Sequence, residues 1–338
     1  MTALVVRQDN LGDVLLAGPA VRAVAAAGEP VAVLAGPRGA AAAGMLPGVD
    51  RVLRWCAPWI DPEPPPVHRD DVRALVDEIA ELAPSRALVL TSFHQSALPM
   101  ALLLRLAGVE WIGAISEDYP GSLLDLRHRV DGDPPEAERA LSLARAAGYG
   151  LPPGDSGRLA IEGPLPDVSG LVGEPGYVVL HPAATAPARE WPVHRCAEAV
   201  ARLSDAGHRV LVTGTAADRE LTAAVAGDRG ADLGGATDLR ELAAVLAGAD
   251  AVVAPNTGPA HLAAAVGTPV VSLFAPVVPA ARWAPYGVPT VLLGDQHAPC
   301  RDTRARVCPV PGHPCLSGVG AGDVVAAVRR LGAVRRAA

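Results

Sequence analysis

Asp250-Ala-Val-Val-Ala-Pro-Asn-Thr-Gly-Pro-Ala-His-Leu-Ala-Ala-Ala-Val-Gly-Thr-Pro-Val-Val-Ser-Leu-Phe274 reads as strand, tight turn, helix, turn and strand. Val252 and Val253 are β-branched and uncharged, as a strand buried on both faces requires. Asn256-Thr257-Gly258-Pro259 then supplies a helix start, with polar capping side chains, a glycine for close approach and a proline in the first turn. Ala260 to Val266 continue the helix, Gly267 ends it, and Val270 to Phe274 form the next strand. A helix that starts at Gly258 after a buried parallel strand offers free backbone N–H groups and the positive end of its dipole. Such an end suits a diphosphate, and His261 lies one turn in, close enough to help hold an anion. The same stretch also reads as an ordinary βαβ unit with His261 satisfied in the core.

Outward from this unit, strands and helices alternate along nearly the whole chain, which predicts α/β architecture with doubly wound parallel sheets. In the first half, strands are expected at Ala3–Arg7, Val31–Leu34, Val52–Arg54, Ala87–Leu90 and Trp111–Gly113. Helices are expected over about 13–27, 38–45, 70–82, 96–107 and 135–147. Pro19 bends the first of these or marks its true first turn. Leu151 to Pro175 is Pro- and Gly-rich, and the interdomain linker is placed within it, near Glu162 to Pro175. A second alternation follows, ending in a helix from about Gly320 to Leu331. The expected domains are residues 1–165 and 166–319, each Rossmann-like, with 320–338 a C-terminal helix packing back on the seam between them. Two such sheets facing one another leave a cleft at the carboxyl ends of their strands, where ligands bind. No G-x-G-x-x-G follows a strand, so the usual dinucleotide fingerprint is missing.

Composition narrows the function classes. Hydrophobic residues make up 50% and charged residues 19% of the 338, which describes a globular chain rather than a disordered one. A net charge of −7 argues against nucleic-acid binding. The longest uncharged run, His261 to Ala281, is broken by Gly267, Pro269, Pro276 and Pro279, so no transmembrane segment is expected. The N-terminus enters a strand without a signal-like region, which predicts a cytoplasmic protein with its five cysteines reduced.

Two further loops carry candidate chemistry. In Arg7-Gln8-Asp9-Asn10-Leu11-Gly12-Asp13, the chain leaves its first strand and Asp13 stands where a helix begins. Asp13 reads either as a helix cap or as a carboxylate able to accept a proton from a hydroxyl. After the first strand of the second half, Thr185 and Arg189 offer a hydroxyl and a guanidinium that can grip phosphate oxygens, ahead of the packing plug Trp191-Pro192.

These pieces, in this order, resemble the heptosyltransferases of lipopolysaccharide biosynthesis, glycosyltransferase family 9. The family pattern R-x-x-x-x-G-D-V is matched by Arg7, Gly12, Asp13 and Val14; K-x-W-P by Arg189-Glu190-Trp191-Pro192; and D-T-G-x-x-H-L-A-A-A-x-G-x-P from Thr257 to Pro269. The spacing of Cys300, Cys308 and Cys315 before a last helix is also similar. The resemblance implies a GT-B fold with the acceptor on the N-terminal domain and a nucleotide-diphosphate sugar, usually ADP-heptose, on the C-terminal one. It implies an inverting, metal-independent transfer needing no cofactor, with Asp13 as general base. Thr185, Arg189, Asn256, Thr257, Gly258 and His261 would line the diphosphate and sugar. Arg7 and Asn10 would face the acceptor, a glycolipid, polysaccharide or small natural product, and in the Ser92-Phe93-His94-Gln95-Ser96 loop His94 and Gln95 read either as contacts to acceptor hydroxyls or as a plain loop. The ribose carboxylate would be Asp218 or Glu220.

Arg189 and Asn256 stand where the family usually has lysine and aspartate, which bears on donor choice more than on catalysis. The rival functions are a sugar-nucleotide-binding protein without catalysis, and an epimerase or hydrolase on the same fold. Asp131-Gly132-Asp133 has the form of a metal-binding D-x-D, but Pro134-Pro135 and a helix follow, so it reads as a solvated capping loop. Cys300, Cys308, His313 and Cys315 lack the C-x-x-C clip of structural zinc and read as free thiols.

Overall fold

The computed structural model describes residues 2–337. The chain divides into two compact units, Met1–Glu162 and Gly163–Ala338, the division falling within the Pro- and Gly-rich stretch. Each unit holds one six-stranded sheet. In the first, β1 (Thr2–Arg7), β2 (Val31–Ala35), β3 (Arg51–Arg54), β4 (Pro84–Val89), β5 (Trp111–Ile115) and β6 (Leu126–His128) are ordered β3-β2-β1-β4-β5-β6. In the second, β7 (Tyr177–Leu180), β8 (Val210–Gly214), β9 (Ala231–Gly234), β10 (Ala249–Pro255), β11 (Val270–Leu273) and β12 (Thr290–Leu293) are ordered β12-β11-β10-β7-β8-β9. All pairings are parallel, and both orders are the doubly wound Rossmann order read from opposite edges. The order reverses between β1 and β4 in one sheet and between β7 and β10 in the other.

The central strands are apolar because helices cover both faces: β2 and β7 are buried throughout, and all but the first residue of β1 is buried. Each fully buried Val or Leu contributes about 1.5–3 kcal/mol. The strands that the sequence does not reveal, β6 and β9, are short edge strands with little to bury; in β9 only Leu233 is enclosed. The expected first helix over 13–27 is two helices, Leu11–Leu16 and Gly18–Ala25, joined at Ala17. Pro19 has no N–H to give to Leu15, so the helix restarts with the proline in its first turn.

Two glycines let the loops at the carboxyl edge of the first sheet lie close together. A Cβ on Gly36, just past β2, would stand 2.4 Å from the Gln8 carbonyl oxygen; one on Gly39 would stand 2.8 Å from that of Asp9. In the second unit the last helix, Ala321–Ala337, packs on the helix Val193–Asp205 and on β10, β11 and β12.

Candidate functional site

In the first unit, Arg7 ends β1 at the point where strand order reverses, and its side chain is buried. Its Nε lies 3.0 Å from Asp9 Oδ2. Its Nη2 lies 3.2 Å from Asp13 Oδ1, 3.0 Å from Ser92 Oγ and 3.5 Å from Glu136 Oε2. Ser92 follows β4, and Glu136 opens the helix Glu136–Ala146. Gln95 closes the network, its Nε2 donating to Asp9 Oδ1 at 2.5 Å and its Oε1 accepting the Ser92 N–H at 2.9 Å. Arg139 stands 3.7 Å from Glu136 and donates to the Thr91 carbonyl.

Three carboxylates therefore share one buried guanidinium. Burial works against the Arg7 charge, but Asp9, Asp13 and Glu136 outweigh it and raise its pKa. Burial also pushes the Asp9 carboxyl up to about 6, against the pull of Arg7 and with the Asp13 charge adding to the rise. Asp13 is the accessible member, its side chain 17% exposed against 7% for Asp9 and 2% for Glu136. The cap at this helix is Asn10, with extended backbone, so Asp13 sits in the first turn, with its carboxylate on Arg7. Gln95 is spent within the network, while His94 is exposed with its ring 5.3 Å from that of Phe93.

In the second unit the carboxyl ends of β7 and β10 lie side by side. His181 follows β7, donates its backbone N–H to the Val253 carbonyl at 2.9 Å and holds Thr213 Oγ1 3.0 Å from its Nδ1. Burial pushes its pKa down to about 4, so the ring is neutral at pH 7. The chain then makes a tight turn, Pro187–Arg189, from which the half-buried Arg189 donates through Nη1 to the Asn256 carbonyl at 3.4 Å. Asn256 is buried, Thr257 is the extended N-cap, and the helix Gly258–Ala265 starts with Pro259 in its first turn and His261 enclosed. A guanidinium and the amino end of a helix thus meet at one sheet edge, an arrangement suited to a diphosphate.

Thr185 lies exposed in the loop before this turn. Asp218 caps its own turn, its Oδ2 accepting the backbone N–H and the hydroxyl of Thr215 at 2.8 and 2.6 Å. Glu220 is exposed two residues on, in the first turn of the helix Arg219–Ala226. The Asp131–Asp133 segment is exposed ahead of the Glu136 helix. Among the described residues, no three His, Cys, Asp or Glu side chains are grouped to hold a metal ion, and no helix is long and apolar enough to cross a membrane. All five cysteines are free, and burial, with Cys300 and Cys308 beside it, pushes Cys315 up to about 12.

Sequence reasoning singled out Arg7 and Asp13 but missed Glu136, Arg139, Ser92 and His181. Glu136 reads from sequence as a carboxylate at the positive end of a helix, which it also is. Only the strand order carries it to Arg7, 129 residues away.

The family model described as glycosyltransferase family 9 (heptosyltransferase) matches residues 77–313, leaving the Arg7–Asp13 loop outside its span. The chain is 36% identical over 162 residues to lipopolysaccharide heptosyltransferase 1 of Pseudomonas aeruginosa, a match covering 44% of this chain and 45% of that protein. It thus spans less than half the length of that curated relative. The structure of Escherichia coli ADP-heptose lipopolysaccharide heptosyltransferase II superposes with a TM-score of 0.76 at 20% identity, over 99% of this chain and 100% of that one. E. coli heptosyltransferase WaaC with ADP superposes with a TM-score of 0.73 at 20% identity, over 98% and 100%. The fold is accordingly GT-B, two α/β domains each built on a parallel sheet.

Proposed function

The chain belongs to glycosyltransferase family 9, and on that premise we propose that it transfers a sugar from a nucleotide-diphosphate donor to a hydroxyl acceptor, with inversion and without a metal ion. The donor is an ADP-linked heptose, the sugar nucleotide named with its structural relatives. The acceptor is a glycolipid, polysaccharide or small natural product, and the reaction takes place in the cytoplasm.

The observation that carries this reading is the meeting of Arg189 with the Asn256-Thr257-Gly258 helix start at the switch point of the second sheet. In the transfer, the acceptor oxygen bonds to the anomeric carbon as the bond from that carbon to the diphosphate breaks. Negative charge grows on the departing diphosphate, where the guanidinium and the backbone N–H groups at Gly258 stabilise it. The acceptor proton passes to Asp13, the most accessible carboxylate of the Arg7 cluster. The neutral ring of His181 adds no charge beside the nucleotide.

A second reading, a sugar-nucleotide-binding protein without transfer, draws on the 3.2 Å ion pair that occupies Asp13. Asp13→Ala separates the two. On the first reading turnover of ADP-heptose with acceptor falls by about 10²- to 10⁴-fold, while calorimetric ADP binding stays as in the parent. Unchanged turnover would remove Asp13 as the base. Sugar release or interconversion without any acceptor would favour a hydrolase or an epimerase.

A further inference from the structure

The Cys-rich segment after β12 is tied to the turn that carries Arg189. Gln296 Nε2 donates to the Phe274 carbonyl at 2.8 Å, the Asp302 N–H to Pro276 at 2.9 Å and the Arg304 N–H to Val277 at 2.7 Å. The segment then reaches Ala188, the residue before Arg189. The Ala188 N–H donates to the Arg306 carbonyl at 2.9 Å, and His313 Nε2–H donates to the Ala188 carbonyl at 3.0 Å. Both backbone polar groups of Ala188 are thus taken by one segment, and Ala188 itself is buried. The segment's base is fixed in the core by Cys300, Cys315 and Leu316.

Its backbone is also unusual. Four non-glycine residues among those described have positive φ, and three lie here: Asp302 at 59°, Arg304 at 57° and His313 at 49°. Such conformations cost free energy and persist only where surrounding contacts fix them, which places them preferentially at ligand clamps. They bracket the stretch that meets Ala188 from both sides, through the Arg306 carbonyl and the His313 ring.

We propose that residues 300–315 brace the Arg189 turn, with His313 as a positioning residue for the donor's diphosphate. The inference rests on the donor-site reading above. His313 acts through a single peptide: its ring holds the Ala188 carbonyl, the Ala188–Arg189 link inherits that orientation, and Arg189 reaches the Asn256 carbonyl from it. Fixing a guanidinium before the ligand arrives lowers the entropy lost on binding. The family's Lys-to-Arg change at this position raises the need, because a planar fork depends on orientation more than a point charge does.

The test is a double-mutant cycle on nucleotide binding, read by calorimetry with ADP, GDP, UDP and TDP, taking the tightest as the probe. His313→Ala should weaken that nucleotide about ten-fold, raise the donor KM and leave the acceptor KM unchanged. In an Arg189→Ala background the same change should cost nothing further. An unchanged affinity would overturn the proposal, as would an equal loss in both backgrounds, which marks a general structural effect. Should His313→Ala not fold, His313→Phe fills the volume without an N–H donor and reads the same bond. If the parent chain bound none of the four nucleotides, the donor-site reading would fall and the brace with it; an effect of Arg189→Ala without one of His313→Ala sinks the brace alone.

Discussion

Arg7 carries the charge balance of the first unit. It is the guanidinium common to Asp9, Asp13 and Glu136, and removing it takes from all three carboxylates their shared cation, with Gln95 still on Asp9 and Arg139 still near Glu136. Breaking such a buried network typically costs about 3–5 kcal/mol. We therefore expect Arg7→Met to destabilise the chain by about that much at pH 8, measured by urea titration. At pH 5 Asp9 is protonated, since burial already lifts its carboxyl to about 6 with Arg7 present, so one repulsive charge disappears and the loss should be smaller. Equal losses at both pH values would mean that the three carboxylates do not share Arg7 as their main partner. At the other site the residue-scale question is shape rather than sign. Arg189→Lys keeps the charge and restores the family's usual residue, so nucleotide affinity should stay within about ten-fold, whereas Arg189→Ala should lose more. Equal affinities for all three side chains would remove Arg189 from the donor site.

At the scale of elements, position follows from where loops can approach one another. Gly36 lies against the backbone of Gln8, and a methyl group there would meet the Gln8 carbonyl at 2.4 Å, so β2's exit turn or the first loop must move. Gly36→Ala should lower stability by about 1–3 kcal/mol and impair turnover, because the displaced loop carries Arg7's partners. Nucleotide binding by the second unit should be spared, and a thermal melt beside calorimetry with ADP checks both. The same scale shows what the sequence makes legible. Apolar runs such as Val178–Leu180 and Val252–Val253 are buried on both faces, so they read directly as central strands. The helix start at Thr257–Gly258 is legible because capping chemistry and proline placement are local. β6 and β9 are not, since an edge strand of three or four residues has no hydrophobic pattern to show. Glu136 and His181 escaped for a related reason. Their roles come from strand order, which sets neighbours across many residues while leaving no mark on the residues near them in sequence. Asp218, expected with Glu220 as a candidate for the ribose, closes a capping box with Thr215, a role that its place three residues after a threonine also makes legible.

Over the whole molecule, the two units carry buried titratable groups whose effects on stability run in opposite directions with pH. Asp9 in the first unit has its pKa raised from 3.8 to about 6, so its contribution is full below pH 3.8 and is lost as pH rises through 6. His181 in the second has its pKa lowered from 6.5 to about 4; the unfolded chain takes a proton that the folded ring refuses. That contribution is full above pH 6.5 and is lost as pH falls towards 4. Across pH 4 to 6.5 the two terms therefore run in opposite directions, each in the unit that carries it. Relative to the parent, His181→Phe should lose the gain in stability that its unit makes as pH rises from 4.5 to 6.5, and Asp9→Asn should lose the fall that its unit makes over the same interval. Unfolding midpoints measured across that interval for the parent and both variants decide it, and three parallel profiles would show that neither group is buried in the protonation state its surroundings impose.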